Sequence, residues 1–144
     1  MSYDVYTIYW DEVEGFDREV YNEAFLADVR EKLKKNEESI NTPLYIEPRF
    51  YSGTGDFWAC AQTYSEELFE AFTAAMLHTA RRLKDCKRIA GFILPDFDTD
   101  WAALCAAGIP PEKTGESPRA SYTDFFKGAF AKKYPHYEFI ERQS

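Results

Sequence analysis

Residues 44–64 read LYIEPRFYSGTGDFWACAQTY, and the topology turns on this stretch. Leu44–Tyr51 and Phe57–Tyr64 are runs rich in aromatic and β-branched residues. Between them Ser52-Gly53-Thr54-Gly55-Asp56 supplies the glycines of a tight connection, so the pattern predicts a β-hairpin. Pro48 has no N–H to give to a ladder, which assigns the first run to a sheet edge. Outward from the hairpin, Tyr3–Trp10 reads as a strand. A helix follows from an Asp17 N-cap to about Lys35, with Tyr21, Phe25, Leu26, Val29 and Leu33 as its apolar stripe. Ser65 caps a second helix whose buried face is Leu68, Phe72, Ala75, Met76, Thr79 and Leu83. Arg88–Leu94 is a fourth strand.

Strand, helix, strand, strand, helix, strand is the order of a ferredoxin-like βαββαβ fold. The expectation is an α+β domain with one antiparallel sheet, two helices on one face and a C-terminal helical extension. Residues 1–95 form the expected core and 96–144 the extension, within a single domain of 144 residues. In the extension Thr99 caps a short helix to Ala107. Residues 109–120, with three prolines, read as a loop. Ser121-x-x-Asp124 reads as a near capping box for a helix to about Lys133, and Tyr137–Glu141 as a last strand. Tyr3–Trp10 and Phe57–Tyr64 carry large apolar groups on both faces, so both faces of the sheet are expected to be covered.

Twelve Phe, ten Tyr and three Trp make the chain 17% aromatic, and 25 acids against 17 bases give a net charge of −8. That charge opposes non-specific nucleic-acid binding, which is largely electrostatic. It suits a basic protein partner. The first residues have no basic and apolar signal-peptide pattern, and no apolar run is long enough to span a bilayer. Cys60, Cys86 and Cys105 are odd in number and far apart, which predicts buried thiols in a reducing cytoplasm rather than disulfides or a zinc site.

Asp96-Phe97-Asp98-Thr99-Asp100 has the alternate acids that open a calcium loop. Trp101 stands where that loop needs glycine and Ala107 where it needs a bidentate Glu, so helix capping explains the acids better. Asp11 and Asp56 would meet at one edge of a ferredoxin-like sheet, where paired carboxylates can hold divalent ions against a triphosphate. Gly53-Thr54-Gly55-Asp56-Phe57 resembles in part the Gly-Gly-Asp-Glu-Phe hairpin of diguanylate cyclases, a group that shares the palm-like topology. The glycines here are not adjacent and the Glu is absent, so the family is not assigned. His78, on a helix flank beside Arg82, and His136 have no triad partner at a telling spacing.

No cofactor is implied. The expected function is a non-enzymatic acidic binding module, of the inhibitor or immunity-protein kind, that neutralises a basic partner. Asp96, Asp98, Asp100, Trp101 and Tyr122 are the candidate contact residues. The alternatives are a metal-dependent nucleotide-processing enzyme using Asp11 and Asp56, and a homodimer that binds a small molecule between sheet faces.

Overall fold

The computed structural model describes residues 2–14, 19–35, 37–50, 52, 66–96, 100 and 119–142. Strand β1 (Asp4–Tyr9) runs into a one-turn helix α1 (Trp10–Val13), then α2 (Glu23–Lys34), a 3-10 turn (Glu37–Ser39) and β2 (Leu44–Arg49). Next come α3 (Glu66–Arg82), β3 (Ile89–Ile93), a helix here labelled α4 (Arg119–Lys133) and β4 (Glu138–Ile140). The strands form one four-stranded sheet in the order β1-β2-β3-β4, and every pair is parallel.

This overturns the antiparallel ferredoxin-like expectation. A parallel neighbour needs a crossover that returns the chain to its starting end. Helices α2, α3 and α4 lie between successive strands and can make those returns. β2 has β1 on one side and β3 on the other, so it is an interior strand and neither neighbour is a hairpin partner. The expected partner, Phe57–Tyr64, lies outside the described residues, as do Asp17, Ser65 and the expected helix over 101–107. Pro48 is tolerated inside the sheet because it lies beyond Ile46↔Phe92, the last β2–β3 pair. Its carbonyl accepts instead from Arg142 Nη2 at 3.0 Å. The last strand is also not an appendage: β4 pairs with β3 and completes the sheet.

Several local boundaries follow side-chain chemistry. Asn22 caps α2, its side chain accepting from the Phe25 N–H at 3.0 Å. Helix α4 already begins at Arg119, so Ser121 lies inside it and not at its cap. Glu14 is 1% exposed, and it accepts from Trp10 Nε1 at 2.7 Å and from the Glu19 N–H. Buried Thr73 and Thr79 donate to the carbonyls one turn back, Phe69 and Ala75, each at 2.9 Å.

Sequential parallel strands with crossovers of one hand carry all their helices on one face. Accordingly, Leu26, Val29 and Leu33 of α2, Leu68, Phe72 and Met76 of α3, and Phe126 and Phe130 of α4 share one core with Ile8, Ile46 and Phe92. Much of the aromatic surplus is consumed here. Trp10 meets Phe50 and Phe72 edge-on, and Phe92 packs against Phe126, Phe130 and Tyr137. Such pairs add about 0.5–1.5 kcal/mol each beyond area burial. Cys86 is buried in the same core, and burial pushes its thiol up to about 11.

The other face carries Val5, Thr7 and Tyr9 of β1, then Tyr45, Glu47 and Arg49 of β2, with Gly91 and Glu138 in register beyond. Tyr45, Gly91 and Glu138 form one row. A Cβ on Gly91 would collide with the Glu138 backbone. Without one, the Tyr45 hydroxyl crosses the row to donate to Glu138 Oε2 at 2.7 Å. Tyr3 packs edge-on against Tyr45. Gly91→Ala is therefore expected to destabilise the fold by about 1–3 kcal/mol or more by overpacking. Tyr45→Phe, which removes one hydrogen bond, should cost about 1 kcal/mol. Urea unfolding of the two variants measures both. In the native protein Cys86 should resist alkylation at pH 7.5 and become reactive on unfolding, as peptide mapping after iodoacetamide treatment would show.

Candidate functional site

Parallel pairing brings the carboxyl ends of all four strands, and the residues that follow them, to one edge. Asp11 follows β1, Ser52 follows β2, Asp96 and Asp100 follow β3, and Glu141 and Arg142 follow β4. In an antiparallel sheet β1 and β3 would end on opposite edges, whereas here Asp11, Asp96 and Asp100 follow strand ends on the same edge.

Asp11 clips the ends of β1 and β2 together. Its carboxylate accepts from the Ser52 N–H at 2.7 Å and the Ser52 hydroxyl at 2.6 Å. Burial pushes its pKa up and these two bonds pull it back. The expected partner Asp56, and with it Asp98 and Trp101, lies outside the described residues. The ferredoxin-like antiparallel sheet expected to bring Asp11 and Asp56 together is not the sheet that forms. Among the described residues no three His, Cys, Asp or Glu side chains group closely enough to hold a metal ion.

A second cluster occupies the other face of the sheet at the same edge. Arg142 Nη1 donates to Asp100 Oδ1 at 2.9 Å and Nη2 to Asp100 Oδ2 at 3.3 Å, a two-pronged clasp. Arg49 clasps Glu47 the same way, at 3.1 and 3.3 Å, and Thr7 Oγ1 donates to Glu47 at 3.0 Å. Arg49 Nη1 lies 3.8 Å from Asp100, and Arg142 Nε 3.7 Å from Glu47. Two acids and two arginines thus cancel. The Asp100 and Arg142 side chains are 6% and 9% exposed, so the pair is effectively desolvated. Burial pushes the Asp100 carboxyl up, opposed by Arg142 and then by Arg49.

Beside this cluster is a cleft of about 370 Å³ lined by Leu94, Pro95, Asp96, Thr123, Asp124, Glu141 and Arg142. The size is within the usual range for ligand sites, about 300–1,000 Å³. Its carboxylates come from three places: the end of β3, helix α4 and the end of β4. Of the expected contact residues, Asp96 lines the cleft. Asp100 is buried in the clasp. Tyr122 is 8% exposed and packs against Phe69 with tilted rings, as a core residue does.

The histidines lie elsewhere. His78 stacks on Tyr21 and its Nε2 lies 3.1 Å from both oxygens of Glu23, which Arg82 also clasps. The Arg82 bonds, with help from His78, hold the Glu23 carboxyl below its usual range. This exposed group ties α2 to α3. Glu47, Arg49 and Arg142 are the site residues that sequence reasoning missed. The available signal was Glu47-Pro48-Arg49, two charges on one face of an otherwise apolar strand.

No protein-family model matches the chain, and no curated protein matches it.

Removing one member of a buried ion pair leaves the other charge stranded. Burial already works against the Asp100 charge, so Asp100→Ala should cost less at pH 7 than the about 3–5 kcal/mol of an ordinary broken buried pair, and the double change Asp100→Leu with Arg142→Leu less again. The pH dependence has the opposite sign to that of an ordinary paired carboxylate. A folded-state pKa above the unfolded one means stability rises as pH falls through it. Relative to Asp100→Asn, the native protein should gain stability between pH 7 and 4, measured by urea unfolding across that range.

Proposed function

We propose that the protein is a non-enzymatic binding module that takes a basic segment of a partner protein in the carboxyl-edge cleft. The observation that carries this reading is the charge of that cleft. Asp96, Asp124 and Glu141 line it, and the one cation among its described lining residues, Arg142, is already held by Asp100. The acids approach from separate elements and do not group tightly enough for a compact metal ion. A lysine ammonium or arginine guanidinium, larger and with several donors, suits such spacing. The Leu94 and Pro95 side chains can take the aliphatic stem, as apolar surface does for long basic side chains. The net charge of −8 would steer a basic partner towards the protein.

On this reading the protein acts by occupying its partner, as inhibitors and immunity proteins do, and needs no cofactor. Its place is the cytoplasm, which suits a buried free thiol at Cys86. No helix among the described residues is long and apolar enough to cross a membrane. The abundance of Tyr and Trp adds little support, because Trp10, Tyr45, Tyr122 and Tyr137 are all buried.

Charge reversal tests the reading. Asp124→Lys with Glu141→Lys should weaken binding of a hexalysine peptide about tenfold or more at low ionic strength, a loss of about 1.4 kcal/mol or more. The control is Glu31→Lys with Glu38→Lys, the same charge change on exposed positions between the end of α2 and the start of β2, towards the opposite edge of the sheet. Fluorescence anisotropy gives the affinities. Equal losses in both variants would reduce the effect to net charge and sink the site.

A further inference from the structure

Arg142 is both a lining residue of the cleft and a member of the buried clasp. Its guanidinium is committed on two sides, to both oxygens of Asp100 and to the Pro48 carbonyl. Nε is buried with no hydrogen-bond partner, facing Glu47 at 3.7 Å. Arginine stays charged at every ordinary pH. Its effect on the cleft therefore depends on where the guanidinium is held and on what cancels it.

The geometry points to Asp100 as the residue that sets the charge selectivity of the cleft, by holding and neutralising the Arg142 guanidinium. Asp100 is not itself among the lining residues, so it is a positioning residue acting through Arg142. With Asp100 in place, the cluster of Glu47, Arg49, Asp100 and Arg142 is neutral and the cleft shows the charge of its own carboxylates. Without it, the cluster carries one excess positive charge, on a residue that already lines the cleft. Glu47 cannot absorb that charge fully, because Arg49 clasps both its oxygens. A cationic ligand would then meet a cation at the wall of its site, and like charges brought together discriminate against a partner.

The inference rests on the cleft being the binding site, and its test separates the two. The variants are Asp100→Asn, Asp124→Asn and the double variant Asp100→Asn with Arg142→Gln. Asp100→Asn should weaken hexalysine binding about as much as Asp124→Asn, and adding Arg142→Gln should restore it to within about twofold of the native protein. A purely structural role for Asp100 would show no rescue, and that result overturns the inference. Paramagnetic relaxation by small nitroxide probes gives a readout that needs no peptide. In Asp100→Asn the enhancement by a cationic probe relative to an anionic one, read at the Thr123 and Asp124 amides, should fall and, with Arg142→Gln added, return. If hexalysine fails to bind the native protein while these ratios shift and return, the binding reading fails and the role of Asp100 stands. If they do not move, the role of Asp100 fails. Should Asp100→Asn not fold, Asp100→Leu with Arg142→Leu keeps the cluster neutral. Its probe ratios should match those of the native protein, and a shift would overturn the inference.

Discussion

Parallel pairing is the constraint from which the rest follows. Two parallel strands cannot be joined by a tight turn, because the chain must first travel back to its starting end. Here each return passes through a helix, and all three helices press into the same side of the sheet. That side becomes a closed aromatic and aliphatic core. The other side is left to a mixture of Thr7, Tyr45, Glu47, Arg49 and Glu138. The same constraint gathers four strand ends, and the polar residues after them, along one edge.

The buried ion cluster at that edge is costly by itself. Asp100, Arg142 and Glu47 are largely desolvated and Arg49 partly so, a cost offset only if each finds good partners. Asp100 and Arg142 make two bonds to one another, Glu47 and Arg49 do the same, and Thr7 and the Pro48 carbonyl take further positions. An apolar patch would hold the sheet as well, so the cluster is better read for what it orients than for net stability. It fixes the residue after β4 against the end of β2, across the width of β3.

Elements were far more legible than their arrangement. The apolar stripe of Leu26, Val29 and Leu33, and that of Leu68, Phe72, Ala75, Met76 and Leu83, identify helices because helical period is a local property. Strand direction is not local. Ser52-Gly53-Thr54-Gly55-Asp56 carries ordinary hairpin chemistry, and nothing within ten residues of it reports that β1 and β3 flank β2. A subtler signal was present in Ile89-Ala90-Gly91-Phe92-Ile93. This run has no polar residue, as strands of parallel sheets often do not. The apolar residues on both faces of β1 pointed the same way. At the edge, Asp96 was legible as part of an acidic run, whereas Arg142 had no neighbouring pattern to mark it. Its importance arises from Asp100, 42 positions earlier, and only the fold joins them.

The row of Tyr45, Gly91 and Glu138 bears on how the chain reaches this fold. Its hydrogen bond joins residues 93 apart, and even the bond between Thr7 and Glu47 spans 40. Among the described strands no ladder can start from a neighbouring turn, so each pairing must first close a long loop against chain entropy. Proteins built from such distant contacts fold slowly for their size. Helices α2, α3 and α4 can form early, since their contacts are local. β4 has only three residues and depends on a bare Gly91 and on a hydroxyl from the strand beyond. Its hydrogen bond to Tyr45 requires β2 and β3 to be aligned already, so the Arg142 clasp that β4 carries depends on two earlier strand pairings.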